Sequence, residues 1–206
     1  MRENDLGIIS NKDESIVLFK NGFVDTFSRV RWFVPLIIFL PVIAYFLYQS
    51  ISTSSWVNTI LFFLLGVGIW TLTEYVFHRF IFHYHPSSKF GKKIHFIVHG
   101  VHHAYPSDSL RLVMPPALSI PLSLGFFLLF RTVFTVGYEP AFAGFIFGYL
   151  SYDMIHYAVH HVGFIKVPVF KKLKHHHMKH HFNDPDHGFG VSSTLWDIVG
   201  NTKFSK

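Results

Sequence analysis

Four apolar runs, each close to the length of a helix that crosses a bilayer, punctuate this chain and limit what it can fold into. They are about Trp32 to Tyr48, Trp56 to Thr73, Pro115 to Phe134 and Tyr138 to Tyr152. A helical span needs roughly 17–25 residues. The fourth run is the shortest and must borrow residues towards Tyr157. Pro35, Pro41 and Pro121 start or kink helices, which membrane helices tolerate. Trp32, Tyr48, Trp56 and Tyr138 stand at run ends, where interfacial aromatics belong. Half of the 206 residues are hydrophobic and 25 are Phe, too apolar a balance for an ordinary soluble domain. The segment Met1 to Arg31 mixes charges of both signs without an apolar stretch, so it does not read as a signal peptide. The reading is therefore a single all-α integral membrane domain over 1–206 with four transmembrane helices, a cytosolic N-terminal segment 1–31 and a functional region over 74–197.

Charge sets the orientation. All but one of the 18 Lys and Arg residues precede the first run, lie between the second and third, or follow the fourth. Only Arg131 lies on the other side, and the link Gln49 to Ser55 is uncharged. The positive-inside rule puts both termini and the middle loop in the cytoplasm. The net charge of +6 suits anionic lipid headgroups, since no basic stripe with interleaved aromatics points to nucleic acid.

Sixteen histidines then fall on that same cytoplasmic side, although the orientation argument did not use them. Ten are phased. His78 and His83 form His-x4-His. His99, His102 and His103 form His-x2-His-His, a spacing repeated by His177, His180 and His181. His156 and His160 form His-x3-His. Residues three and four apart share a helix face, so the two His-x2-His-His groups read as equivalent half-sites. His78 and His83 lie about 140° apart on an ideal helix. They need a local distortion or they serve different metals, and different metals is the reading favoured here. Ten imidazoles exceed the needs of one typical site, so two metal ions are expected. There is no cysteine, which excludes thiolate ligands and disulfides. All-imidazole sites suit zinc, iron, copper or nickel. His85, His95, His161, His175, His176 and His187 are expected to be non-ligands.

These residues resemble the fatty acid hydroxylase superfamily of membrane di-metal oxygenases, which includes sterol desaturases, and in particular its fatty acid 2-hydroxylase branch. The likeness is carried by Glu74-Tyr-Val-Phe-His78 through His83, His95 through His103, Arg111-Leu-Val-Met-Pro-Pro116, Tyr152-Asp153 through His161, His177 through His181, Gly188-Phe-Gly190-Val and Trp196-Asp197. The resemblance implies four transmembrane helices under a cytosolic helical cap, and the same ten histidines as metal ligands. It also implies that His95 and His161 are not ligands. The implied reaction is hydroxylation at carbon 2 of a long acyl chain, free or within a ceramide, using O2 and two electrons. Iron is the metal implied for the active enzyme, and purified relatives can carry zinc.

Some relatives carry a cytochrome b5 domain. Met1 to Arg31 is too short for one and holds no histidine, so a separate electron donor is expected, such as a cytochrome b5 or a ferredoxin. The host membrane is then expected to be a bacterial inner membrane, or the endoplasmic reticulum in a eukaryote. Tyr149, Asp153 and Arg111 are expected polar contacts near the substrate's polar end. Asp153, one turn before His156, equally reads as a carboxylate orienting a ligand imidazole. The alternative within the class is a hydroxylase or desaturase of a sterol, carotenoid or other lipid. Zinc hydrolysis and metal transport are the rivals outside it, and ligands gathered at one surface rather than at the bilayer midplane argue against transport.

Overall fold

The computed structural model describes residues 10–163 and 166–205, and among these the chain is helical with no strand. Arg2 and Lys206, which entered the charge argument, lie outside the described residues. The helices are α1 (Gly22–Phe27), α2 (Val34–Thr53), α3 (Trp56–Phe77), α4 (Lys89–His95), α5 (Val101–Ala104), α6 (Pro116–Val133), α7 (Tyr138–His161), α8 (Pro168–Phe182) and α9 (Leu195–Val199). Two π-helical turns interrupt them. His78–Phe82 extends α3, and Phe96–Gly100 joins α4 to α5.

The apolar runs become α2, α3, α6 and α7. Proline opens α2 and α6 in the first turn, where its missing N–H costs nothing. Ser55 caps α3 by accepting from the Asn58 N–H at 3.2 Å. Pro41 and Pro121 lie inside α2 and α6, as the sequence suggested. Among the described residues, three helices are both long and apolar enough to cross a membrane, namely Val34–Thr53, Trp56–Phe82 and Pro116–Val133. The fourth run lies in α7, which is long enough but carries Asp153, His156 and His160 in its second half.

α7 is the central helix. Its residues from Pro140 to Leu150 are almost all buried. Phe39 meets Tyr149 and Phe46 meets Phe142, so α2 runs antiparallel to α7. Phe63 meets Phe147 and Trp70 meets Tyr152, so α3 runs parallel to it. Phe127 meets Phe142 and Phe126 meets Phe145, so α6 is antiparallel. The C-terminal ends of α3 and α7 therefore emerge at one end of the bundle, together with the N-terminal ends of α2 and α6. α3 and α7 approach at backbone distance. A Cβ on Gly144 would lie 1.9 Å from the Phe63 carbonyl oxygen, and one on Gly66 would lie 1.9 Å from that of Ala141. Gly144 and Gly148 form the small-xxx-small spacing that lets membrane helices pack this closely. On the far faces, Ile37, Leu61, Leu64 and Leu124 are more than half exposed, as side chains that face lipid would be.

Candidate metal centre

α3 delivers His78 to the shared end of the bundle. An α-helix would then swing His83 away. The π turn instead closes an i→i+5 hydrogen bond from the His83 N–H to the His78 carbonyl at 3.1 Å, which stacks the two residues. The expectation that His78 and His83 serve different metals is thereby corrected, because their Nε2 atoms lie 3.2 Å apart in one group.

The ten phased histidines gather into two groups of five. One comprises His78, His83, His99, His103 and His180, and the other His102, His156, His160, His177 and His181. Within each, one ring nitrogen from every residue lies within 4.8 Å of the others. The two His-x2-His-His triplets are not half-sites. Each is split, with His99 and His103 facing one group while His102 faces the other, and His177 and His181 facing the second group while His180 faces the first. On one helix i+3 and i+4 flank i on opposite sides, about 100° apart, so i can pair with i+4 while i+3 turns to the neighbouring group. The groups abut through His103 and His181, whose rings stack 4.2 Å apart.

Geometry and charge test whether these groups fit metal ions. His78 and His180 donate Nδ1–H to the carbonyls of Phe189 and His187, because a carbonyl can only accept. Their Nε2 atoms are therefore lone pairs when the rings are neutral. His83 Nε2 lies 3.2 Å from His78 Nε2, 3.2 Å from His99 Nε2 and 3.0 Å from His180 Nε2. One N–H on His83 cannot serve three such neighbours, whereas a cation at the common centre satisfies all of them. In the second group His102 and His156 stand 2.9 Å apart, His160 and His177 3.0 Å, and His177 and His181 3.1 Å. Imidazole nitrogens ~2.1 Å from one ion and about 90° apart would be about 3 Å from each other. Burial, and after it the neighbouring imidazoles, holds His83, His99, His102, His103, His177 and His181 below the ordinary histidine range. His180 is depressed to about 4 by burial, against the pull of the His187 carbonyl. Neutral rings are the metal-binding form.

Five of the other six histidines have different partners. The His95 ring lies near that of His85, and His161 stacks on Tyr157. His176 Nε2 is 3.0 Å from Asp197, and His187 Nδ1 is 2.9 Å from Asp184. Glu74, the only glutamate near the clusters, ligates neither group's centre. It accepts from the N–H groups of Val191 and Ser192 at 2.6 and 2.8 Å and from the Ser192 hydroxyl. Asp197 accepts from the Phe189 and Gly190 N–H groups and from Thr202. These contacts pin the loop that carries the His187 and Phe189 carbonyls. Neither the loop's role nor that of Asp197 was legible from spacing, because backbone carbonyls carry no sequence signature.

An apolar cavity of about 300 Å³ opens beside both groups, lined by His99 of the first and by His102 and His156 of the second. Asp153 lines it, with Oδ1 accepting from the Met114 N–H at 3.4 Å. Its neighbour Tyr152, which the sequence reading passed over, also lines it and stacks on His156. Tyr149 faces a smaller apolar pocket among α3, α6 and α7. Arg111 lines the cavity, but its guanidinium is tied to Asp108 at 3.3 Å and to Asp25 at 3.5 Å. Asp25 belongs to the segment before α2, whose Leu18, Phe19, Val24 and Phe27 form the outer wall.

A family model, fatty acid hydroxylase, matches residues 63–202. The chain is 39% identical over 186 residues to a dihydroceramide fatty acyl 2-hydroxylase of Arabidopsis thaliana, covering 89% of this chain and 78% of that one. It is 38% identical over 193 residues to the ceramide very long chain fatty acid hydroxylase of Saccharomyces cerevisiae, covering 91% of this chain and 49% of that one. To the fatty acid 2-hydroxylase of Homo sapiens it is 35% identical over 213 residues, covering 91% and 56%. The solved structure of full-length Scs7p, of which only the hydroxylase domain is visible, superposes with a TM-score of 0.84 at 36% identity, covering 91% of this chain and 72% of that one.

Proposed function

This chain belongs to the fatty acid hydroxylase family, and from that premise we propose that it is a membrane di-iron monooxygenase that hydroxylates carbon 2 of a long-chain fatty acid or of the acyl group of a ceramide. The observation that carries the reading is the pair of five-imidazole groups opening onto one apolar cavity. The ten histidines would hold two ions, five to each. When bound, a pair of iron ions would supply the activation of O2 and the oxidising power that an unreactive C–H bond demands. The balance is one C–H bond, one O2, two electrons and two protons giving one C–OH and one water. The electrons would come from a separate donor of the cytochrome b5 or ferredoxin kind.

The chain's own contribution is placement. α2, α3, α6 and α7 would all span the bilayer, α7 within the bundle and the other three around it. The histidine-bearing helices and loops would form a cytoplasmic cap. An acyl chain would rise into the cavity from the lipid, and the apolar walls would keep water from the reacting carbon. Asp153 is the carboxylate that lines the cavity beside His156 and would orient the polar end of the acyl group. Tyr149 on the same helix would support it, and Arg111 would hold the outer wall and meet the headgroup side.

Expression in a host without 2-hydroxylated lipids, followed by lipid mass spectrometry, tests this. The wild-type chain should yield 2-hydroxy acyl lipids that depend on O2 and iron. His177→Ala should reduce them by at least about 100-fold, as expected for loss of a metal ligand and not of a supporting contact. Product from the wild type without O2, or an active His177→Ala variant with both ions bound, would sink the proposal.

A further inference from the structure

The loop from His187 to Ser192 treats the two histidine groups unequally. In the first group, His78 and His180 each hand their Nδ1–H to a carbonyl of this loop. The loop is held by two carboxylates. Glu74, one helical turn before His78, takes the N–H groups of Val191 and Ser192. Asp197, fully buried, takes those of Phe189 and Gly190 at 2.8 and 3.0 Å, the Thr202 hydroxyl at 2.9 Å and His176 Nε2 at 3.0 Å. Glycine permits the path. Gly188 has φ +75, and a Cβ on Gly190 would lie 2.0 Å from the Ser193 carbonyl oxygen. In the second group, the Nδ1 atoms of His102, His177 and His181 are buried and make no hydrogen bond among the described residues. His156 Nδ1 faces the Leu112 carbonyl without normal hydrogen-bond geometry.

We propose that Glu74 and Asp197 are positioning residues that make the two metal positions unequal, fixing the loop whose carbonyls aim His78 and His180, so that the first group holds its ion more firmly than the second. This rests on the reading that each group binds one ion. A carbonyl at Nδ1 fixes the ring's tautomer and angle and makes Nε2 the more basic donor. Losing such support lowers metal affinity by about 10–100-fold. Rings without it must be held by packing alone.

The test is chelator competition on the full-length protein loaded with two Zn²⁺ per chain, with released Zn²⁺ read by absorbance. The wild type should lose its ions in two phases separated by at least about 10-fold. His177→Ala, which removes a second-group ligand, should retain one ion, and that ion should leave in the slow phase. Asp197→Asn and Glu74→Gln, checked for native helicity by circular dichroism, should leave the fast phase in place and speed the slow one by about 10-fold or more. Release of both wild-type ions in one phase would overturn the proposal. So would a His177→Ala ion that leaves in the fast phase, or a slow phase unmoved in both folded carboxylate variants. If either carboxylate variant misfolds, the wild-type and His177→Ala arms still decide. A wild-type chain that takes up no Zn²⁺ would instead end the metal reading of both groups.

Discussion

The imidazole of His180 is pulled by burial from an ordinary 6.5 to about 4. In the unfolded chain it takes a proton as the pH falls through about 6.5, while in the folded chain it stays neutral down to about 4. The stability it contributes is therefore complete above 6.5 and is lost as the pH falls towards 4. The other depressed rings outside the bundle, among them His99 and His177, act in the same direction. Thermal stability should hold between pH 7 and 8 and decline below about 6.5, whereas the chain that stays folded should keep its metal until the pH nears 4. Metal analysis and a melting curve at each pH check this, and a melting temperature unchanged between pH 7 and 4.5 would contradict it. Asp153 gives a second expectation. Asp153→Asn should keep both ions but lower kcat/KM by about 10–150-fold, the cost of losing one hydrogen bond to a charged group. Lipid product assays beside metal analysis separate these effects. The ten histidines were legible because spacing on a helix is written in residue number. Tyr152 was not, since choosing it over Tyr149 depends on how α7 is rotated in the bundle.

The α3–α7 contact turns on glycine. Gly144→Ala would drive a methyl group into the Phe63 carbonyl. It should cost about 1–3 kcal/mol and lower the melting temperature in detergent, whereas Gly125→Ala, with open space around it, should not. Gly144 and Gly148 mark α7's packing face only once the structure is seen, because apolar periodicity is nearly absent from helices that are greasy all round. The π turn at His78–Phe82 was hidden for another reason. His-x4-His is ambiguous until the i→i+5 bond is seen, and nothing in the residues His78 to His83 forces that bond over an α turn. The split of each His-x2-His-His triplet was also missed. Sharing a face does not mean sharing an ion, because i+3 and i+4 lie on opposite sides of i and can serve two centres.

For the whole molecule, the chain directions place the ends of α3 and α7 and the starts of α2 and α6 together, which is why four distant histidine groups meet. Absence of cysteine makes the proposed topology easy to check by labelling. A cysteine at Ser54 should react with an impermeant reagent from outside intact cells, and one at Lys92 only after the membrane is opened. Reaction of both from outside would refute four spans. α2, α3 and α6 were legible as apolar runs long enough to cross a membrane. α7 was less so, because a helix enclosed by its neighbours and carrying the site is no longer uniformly apolar. The interleaved histidines have a mechanical consequence. The short helices α5 and α8 each place histidines in both groups, and the π-turn regions and α7 supply the others, so the two ions would rivet remote stretches of chain together in a protein that has no disulfide to do so. Stripping them should loosen the cap as one unit, while the bundle, whose helices are held by aromatic and glycine contacts, remains standing.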